Sequence, residues 1–446
     1  MRVLIVGAGD IGFQLCRRLS QENHVIIVVE NDPRRVRRIS EQLDVLVIEG
    51  SGTSYKVLQQ AGIENVEVMA AMTTIDEVNL LACRMAKKVG VPSTIARVRN
   101  PEYALSDFIL SPEELGVDAV VHPEQETADA VVRLIRQASA TDAIEFEEGK
   151  IQVIGVRLSD DSPLLNLPLE ELSRQHGDPP MRVAAIKRKQ QTLIPDGKDE
   201  LVAGDQIYAV CDPDYTEQFI KLSGQKIKRA ERVMILGGGL IGRFIAQQLT
   251  GDVNVKIIES DVEKSWRIAD ELPNSLIIQG DGTDYDLLAS EGILETDVLV
   301  AVTGDDETNI IATLLAQHLE VPRTIALVNK VQYLPITSTI GMDSVVSKQL
   351  LTVNAVQRFI SHQKVVSIAS LPGVDVQCIE YVVPPGSRMI GKALSKIHFP
   401  RGSLVGAVIH DDNLIIPTGA TQLQADDRAV VFALPHVMKN IQKLFS

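Results

Sequence analysis

The sequence predicts an α/β chain built as two doubly wound, Rossmann-like parallel-sheet domains, each followed by a small α+β module. Three observations carry this expectation. Gly7-Ala8-Gly9-Asp10-Ile11-Gly12 sits between the apolar run 3–6 and the helical-looking stretch 11–21, and it returns 230 residues on as Gly237-Gly238-Gly239-Leu240-Ile241-Gly242. Short runs rich in valine and isoleucine alternate with helical stretches after each copy. Further along, residues 183–195 match 405–417 at an offset of 222, so the repeating unit has two parts.

In the first part, runs at 3–6, 25–29, 45–48, 68–72, 94–98 and 119–121 read as strands. Continuous apolar strands separated by helices imply a parallel sheet covered on both faces, with ligand expected at the carboxyl ends of the strands. In the glycine motif the first glycine permits a tight turn and the second lets backbone N–H groups approach a pyrophosphate. The third lets the helix pack closely, so that its positive N-terminal end faces the anion. An acid is expected about 20 residues on. Glu30 and Glu259 close the two second strands. A carboxylate there accepts hydrogen bonds from the adenosine ribose hydroxyls and repels a 2′-phosphate, which favours NAD(H) or adenine nucleotides over NADP(H).

Further strand ends supply the other candidates. Ser51-Gly52 matches Asp281-Gly282, and Thr73-Thr74 matches Thr303-Gly304. An aspartate at 281 can accept from an adenine amino group, where serine is a weaker partner. Thr74 stands three residues before Glu77, the spacing of a helix capping box, so Thr74, Asp76 and Glu77 read as a cap, and the Thr73-Thr74 backbone reads as lying beside a bound nucleotide, two readings that are compatible. Arg97 and Arg99 leave the fifth strand, either to reach a phosphate or as an exposed salt bridge. Their counterparts are Leu327 and Asn329, so the two halves carry unequal chemistry. Asp10, inside the phosphate loop, favours a diphosphate over a triphosphate; Leu240 exerts no such repulsion.

Each second part reads as strands at 150–158, 181–187 and 205–210, a short helix at 167–172 and a last helix at 213–222, with hairpin signals at 187–191 and 410–413. Modules of about 75 residues are marginal alone and often bury an open face by pairing. The expected domain limits are 1–135, 140–223, 231–360 and 364–446, with a polar linker at 224–230.

At 446 residues, 45% hydrophobic and 23% charged, the chain has ordinary globular composition. A net charge of −15 argues against nucleic acid or direct adhesion to anionic lipid. No apolar run reaches the roughly 18 residues of a membrane span, so a chain neither spanning nor exported is expected. The four cysteines are far apart and suit a reducing cytosol as buried core residues. The eight histidines show no paired metal-ligand spacing, and nucleophile-elbow, zincin and Walker motifs are absent. No catalytic residue and no metal site is expected.

Across its whole length the chain resembles the tandem members of the RCK/KTN family, regulators of potassium conductance. The resemblance is carried by residues 7–12, Glu30, 72–79, 95–99, 237–242, Glu259, 280–283 and 302–309. It implies a homotetrameric cytosolic ring seated on a membrane potassium transporter of the TrkH or TrkG type, peripheral to the inner face of the membrane. NAD(H), and also ATP or ADP, would alter the shape of that ring. It places nucleotide on Gly7, Gly9, Asp10, Ile11, Gly12, Glu30, Thr73, Thr74 and Arg97, and on Gly237, Gly239, Leu240, Ile241, Gly242, Glu259, Thr303 and Gly304. Ser51, where the family commonly has aspartate, and Leu327, in place of a basic residue, depart from its pattern. The alternatives are a tandem NAD-dependent oxidoreductase, which steady NADH turnover would reveal, and a nucleotide sensor acting on another transporter.

Overall fold

The computed structural model describes every residue except 22–23, 105–108, 113, 137–141, 147–150, 176–180, 190, 226–229, 361–364, 372–373, 388, 412 and 446. Most of the expected linker, parts of both hairpin tips, and His176 and His362 therefore lie outside the described residues.

The first part contains β1 (Arg2–Val6), α1 (Asp10–Ser20), β2 (Val25–Glu30), α2 (Pro33–Gln42), β3 (Leu46–Glu49), α3 (Tyr55–Gln60), β4 (Val68–Ala71), α4 (Asp76–Val89), β5 (Ser93–Arg97), β6 (Ala119–Val121) and α5 (Pro123–Arg136). All six expected strands form, and they pair in parallel in the order β3-β2-β1-β4-β5-β6. The order reverses at β1, which is where a doubly wound sheet opens a crevice.

A five-stranded antiparallel module follows, from β7 (Asp142–Phe146), β8 (Ile151–Arg157), α6 (Leu169–Gln175), β9 (Met181–Arg188), β10 (Gln191–Leu193), β11 (Gln206–Cys211) and α7 (Thr216–Leu222), in the order β10-β9-β11-β8-β7. The edge strand β7 had no signal strong enough to be read from the sequence.

The second parallel sheet has β12 (Arg232–Leu236), α8 (Leu240–Leu249), β13 (Asn254–Glu259), α9 (Val262–Glu271), β14 (Leu276–Gln279), α10 (Tyr285–Ser290), β15 (Val298–Ala301), α11 (Asp306–His318), β16 (Arg323–Leu327), α12 (Leu334–Thr339), β17 (Ser344–Val346) and α13 (Lys348–Ile360). It repeats the first order as β14-β13-β12-β15-β16-β17. The last module, β18 (Val365–Ser370), β19 (Gln377–Val382), β20 (Ser403–His410), β21 (Asn413–Ile415), β22 (Arg428–Ala433) and α14 (Met438–Leu444), repeats the second part as β18-β19-β22-β20-β21.

Two compact units cut across this repeat: Met1–Thr127 with Ser347–Ile360, and Ala128–Val346 with Ser361–Ser446. In the first unit α13, which follows the second parallel sheet in sequence, buries Val353, Val356 and Ile360 in one cluster with Leu15 and Leu19 of α1. In the second unit the last turns of α5 meet α8: Gln248 donates to the Asp129 carboxylate at 2.8 Å, and Arg136 donates to the Gln248 carbonyl at 2.8 Å. The first sheet is thus covered in part by the helix that ends the second half. The two modules pair as expected, Tyr208 and Val210 sharing a core with Cys378, Ala407 and Phe432. The four cysteines are free and buried, and burial pushes the Cys83 thiol up to about 12.

At one matched position the modules carry different ion-pair chemistry. Arg188 grips Asp205 through Nε at 2.9 Å and Nη2 at 2.7 Å. At the same place in the second module, His410 Nδ1 lies 2.6 Å from Asp427 Oδ1. That hydrogen bond, with the charges of Asp427 and Asp411 and against a smaller opposing effect of burial, raises the His410 pKa. A histidine whose folded pKa is raised contributes stability that is complete below its unfolded value of about 6.5 and lost as pH rises through the folded value. The melting temperature of the native protein is therefore expected to fall more steeply as pH rises above about 6.5 than that of His410→Arg, which substitutes the permanent charge of the first module. Parallel melting curves across that range would show that His410 contributes nothing titratable.

Candidate functional site

The first glycine loop turns at the carboxyl end of β1. Gly7 has φ +97°, a left-handed conformation that glycine alone tolerates well, and a Cβ there would lie 2.9–3.1 Å from Thr73. A Cβ on Gly12 would lie 1.9 Å from the Gly7 carbonyl oxygen, so the third glycine sets how closely α1 approaches β1. Gly9 is different. It starts α1 without any side-chain cap, and a Cβ there meets only the end of Arg35, at 3.7 Å. The first-turn amides of Asp10, Ile11 and Gly12 have no partner one turn earlier, as at any helix start. Ile11 itself is buried in the core cluster.

Glu30 is almost fully buried and already engaged. Its Oε2 accepts from the Ala8 amide at 2.6 Å, and its Oε1 accepts from the amides of Asn31 and Asp32 at 2.8 and 2.9 Å. Arg35 stands 3.9 Å from Oε2. The acid therefore staples the glycine loop to the end of β2, and receiving a ribose means exchanging one of these contacts. Asp10 is exposed but not unbalanced: Arg38 lies 3.6 Å from it and stacks over the Phe13 ring at 4.5 Å. Arg38 of α2 thus balances the Asp10 charge.

At the ends of β4 and β5 the organiser is Asn79, fully buried on α4. It accepts from the Thr73 amide at 2.9 Å and donates to the Arg97 carbonyl at 2.8 Å, tying the two strand ends together. The capping box does not form: the N-cap is Ile75, without a side-chain cap, and Thr74 stays exposed beside the loop. Asp76 accepts instead from the amides of Arg99 and Asn100 at 2.8–3.0 Å. Arg97 is 8% exposed, which removes the exposed-salt-bridge reading. Its Nη1 reaches the Thr73 carbonyl at a long 3.4 Å, and its buried Nε has no hydrogen-bond partner among the described residues. Burial lowers its pKa, with Glu124 and Asp76 acting in the opposite direction and Arg99 reinforcing it. Ser51 makes a local turn with Thr53 at 2.8 Å, and Gly52 is small because a Cβ would meet Val6 at 2.2 Å.

The second half reproduces the scaffold with different charges. Gly237 has φ +106°, a Cβ on Gly242 would lie 2.1 Å from the Gly237 carbonyl, and a Cβ on Gly239 would meet nothing within 4 Å. The Gly238 amide donates to Glu259 at 3.0 Å, and Lys264 pairs directly with the same carboxylate. Burial raises the Glu259 pKa, but Lys264 and the Asp261 and Gly238 amides outweigh it and hold the group below its usual range. Asn309 repeats the staple, accepting from Thr303 at 2.9 Å and donating to the Leu327 carbonyl at 2.9 Å. Gly304 is exposed with open space around it, and Leu327 is buried. Asp281 accepts from the amide and hydroxyl of Thr283, both at 2.8 Å, and its pKa is lowered by those bonds. Ile241 is buried like Ile11, and Leu240 takes the place of Asp10.

Arg35, Arg38 and the two asparagines were not singled out by the sequence reading. The arginines sit in the basic run Arg34-Arg35-Val36-Arg37-Arg38, whose counterparts of Arg35 and Arg38 are Ser265 and Ile268; that contrast between halves was the available signal. Among the described residues no cluster of three or more histidine, cysteine, aspartate or glutamate side chains could hold a metal ion, and no helix is long and apolar enough to cross a membrane.

The TrkA-N domain family model matches residues 3–123 and 233–348, and the TrkA-C domain model matches 153–224 and 378–446. The chain is similar over its whole length to the Trk system potassium uptake protein TrkA homolog 2 of Methanosarcina mazei, 34% identical over all of both chains. It is 32% identical to the Trk system potassium uptake protein TrkA of Azorhizobium caulinodans, covering all of this chain and 98% of that one. Among solved structures, the GsuK RCK domain superposes with a TM-score of 0.62 at 20% identity, covering 100% of this chain and 94% of that one. The GsuK channel bound to NAD superposes equally well, with a TM-score of 0.62 at 20% identity over 100% of this chain and 78% of that one.

Proposed function

This chain belongs to the TrkA family of Trk-system potassium uptake proteins, and from that premise we propose that it is the non-catalytic, nucleotide-binding regulatory subunit of a membrane potassium transporter of the TrkH or TrkG type. It works as a homotetrameric ring in the cytoplasm, peripheral on the inner face of the membrane. The observation that carries this reading is the pair of open loops: at Gly9 and Gly239 a helix begins without a side-chain cap, and what a Cβ would occupy there is open space or the flexible end of Arg35. Protein packing gives no reason for glycine at those two positions. An approaching pyrophosphate does, because its oxygens take up the first-turn amides.

The residues fit an adenine dinucleotide. Gly7, Ala8, Gly9, Asp10, Ile11 and Gly12 would hold the diphosphate of NAD(H) in the first half, with Glu30 toward the ribose, Ser51 and Gly52 toward the adenine, and Thr73, Thr74 and Arg97 along the facing strand ends. Gly237, Gly238, Gly239, Leu240, Ile241, Gly242, Glu259, Asp281, Gly282, Thr303 and Gly304 would do so in the second. ATP or ADP shares the adenosine and phosphate chemistry. GsuK, a fold neighbour, is solved bound to NAD and bound to ADP, which supports both ligand types. Regulation then needs no bond-making, since a ligand shifts a ring between shapes by the difference in its affinity for them.

Calorimetric titration of the full chain with NADH, NAD, ATP and ADP tests this reading. Gly9→Asp and Gly239→Asp each place a carboxylate in one cradle without a backbone clash, and each is expected to abolish binding at its own half. Binding unchanged in both variants, or steady consumption of NADH by the purified protein, would overturn the assignment.

A further inference from the structure

Glu124, at the start of α5, is a buried carboxylate with three cationic or potentially cationic neighbours. Its Oε1 lies 3.4 Å from Arg99 Nε and 3.3 Å from Lys348 Nζ, and its Oε2 lies 3.9 Å from His122 Nδ1. Burial lowers the His122 pKa, so the imidazole is neutral at neutral pH. Lys348 is the first residue of α13, the helix that comes from the second half and packs in the first unit. Arg97 interacts electrostatically with Glu124, Arg99 and Asp76, and its buried Nε has no hydrogen-bond partner among the described residues. Counting Arg97, Arg99 and Lys348 against Glu124 and Asp76, the cluster carries one surplus positive charge. The matched places in the second half are Leu327, Asn329 and Gln349, so nothing of the kind exists there.

We propose that Lys348 is a positioning residue for anion binding in the first half, acting through Glu124 on Arg97 rather than touching the ligand. The inference rests on the reading that a nucleotide phosphate occupies the first glycine loop. Without Lys348, the Glu124 charge falls on Arg99 and Arg97, and a phosphate must compete with it for the guanidinium. With Lys348 in place, Glu124 has its own counter-ion and the surplus charge at Arg97 is left for the ligand. A buried carboxylate deprived of a partner otherwise draws on whatever cation is nearest, and in a poorly solvated site that competition is strong. Because Lys348 begins α13, seating of that helix and occupancy of the first site favour one another, and the coupling is reciprocal. A residue contributed by the second half thus sets the affinity of the first.

The test is titration of full-length protein with ADP in the Gly239→Asp background, so that only the first site reports. Lys348→Met is expected to weaken ADP binding roughly tenfold, within the usual range of coupling between sites. The double variant Glu124→Gln/Lys348→Met restores the surplus charge and is expected to return to within about threefold of the parent, a non-additive pair. Lys348→Arg is expected to bind as the parent does, and circular dichroism with thermal melting confirms that α13 is formed in each. Lys348→Met binding ADP like a parent that binds it well would overturn the coupling. A double variant as weak as Lys348→Met alone would show that Lys348 only holds the helix. If the parent binds neither ADP nor NADH, the nucleotide reading falls first and this inference with it.

Discussion

Arg97→Ala is expected to weaken nucleotide binding to the first half by about 10- to 100-fold, and to blunt the transport response more than any substitution at Leu327. The magnitude follows from the loss of a hydrogen bond to a charged group, worth about 1.5–3 kcal/mol, at about 1.4 kcal/mol per tenfold in affinity. Arg97 is well placed for such an effect, being buried with a long contact to the Thr73 carbonyl and, among the described residues, no partner for its Nε. Arg97→Met keeps most of the buried stem and separates the charge from the packing: it is expected to lose affinity as alanine does while preserving the melting temperature better. Leu327→Ala removes a buried side chain and is expected to destabilise the second half by about 2–5 kcal/mol while leaving first-half affinity unchanged. Calorimetry on the Gly239→Asp protein reads the affinities. Transport assays with and without nucleotide read the response, and equal losses at Arg97 and Leu327 would remove the idea that the halves are unequal.

Gly12→Ala is expected to be the most damaging single methyl group in the first loop. The added carbon would sit 1.9 Å from the Gly7 carbonyl oxygen, a backbone atom that cannot swing aside, so α1 must move away from β1. Overpacking of this kind costs about 3 kcal/mol. Displacing α1 also disturbs the cluster it shares with Val353, Val356 and Ile360 of α13. Gly242→Ala should behave alike, with a contact of 2.1 Å to Gly237. Gly239→Ala is the control: no atom lies within 4 Å of the new methyl, so stability is expected to hold while nucleotide affinity falls. Differential scanning calorimetry of the three variants checks the order. A Gly12→Ala protein melting with the wild type would mean that the loop tolerates an opening its geometry does not provide.

Much of the scaffold was legible because its signals are local. Apolar runs at 3–6 and 233–236, each followed by three spaced glycines and a helix, specify strand, turn and helix within some twenty residues. The acids Glu30 and Glu259 were found at the expected distance. Their engagement was not: that Glu30 already holds the Ala8, Asn31 and Asp32 amides depends on the turn the loop takes in three dimensions. The capping box at Thr74 had the right spacing and failed because Asn79 draws Thr73 into the strand ends and Asp76 caps the β5 exit instead. The arginines Arg35 and Arg38 carried no signal beyond a basic run, and only folding brings them to Glu30 and Asp10.

The sequence by itself determined the doubled glycine loop, the parallel sheets, the two α+β modules and the loss of cations from the second half. All of these follow from residue type and short-range period. Tertiary structure alone decided that α13 serves the first unit, that Lys348 meets Glu124, and that the two modules share one core. The reason is physical: an apolar stripe on a helix announces that it will be buried but not against what, since hydrophobic attraction has no direction. Partners hundreds of residues apart are selected by shape and by closure of the whole chain.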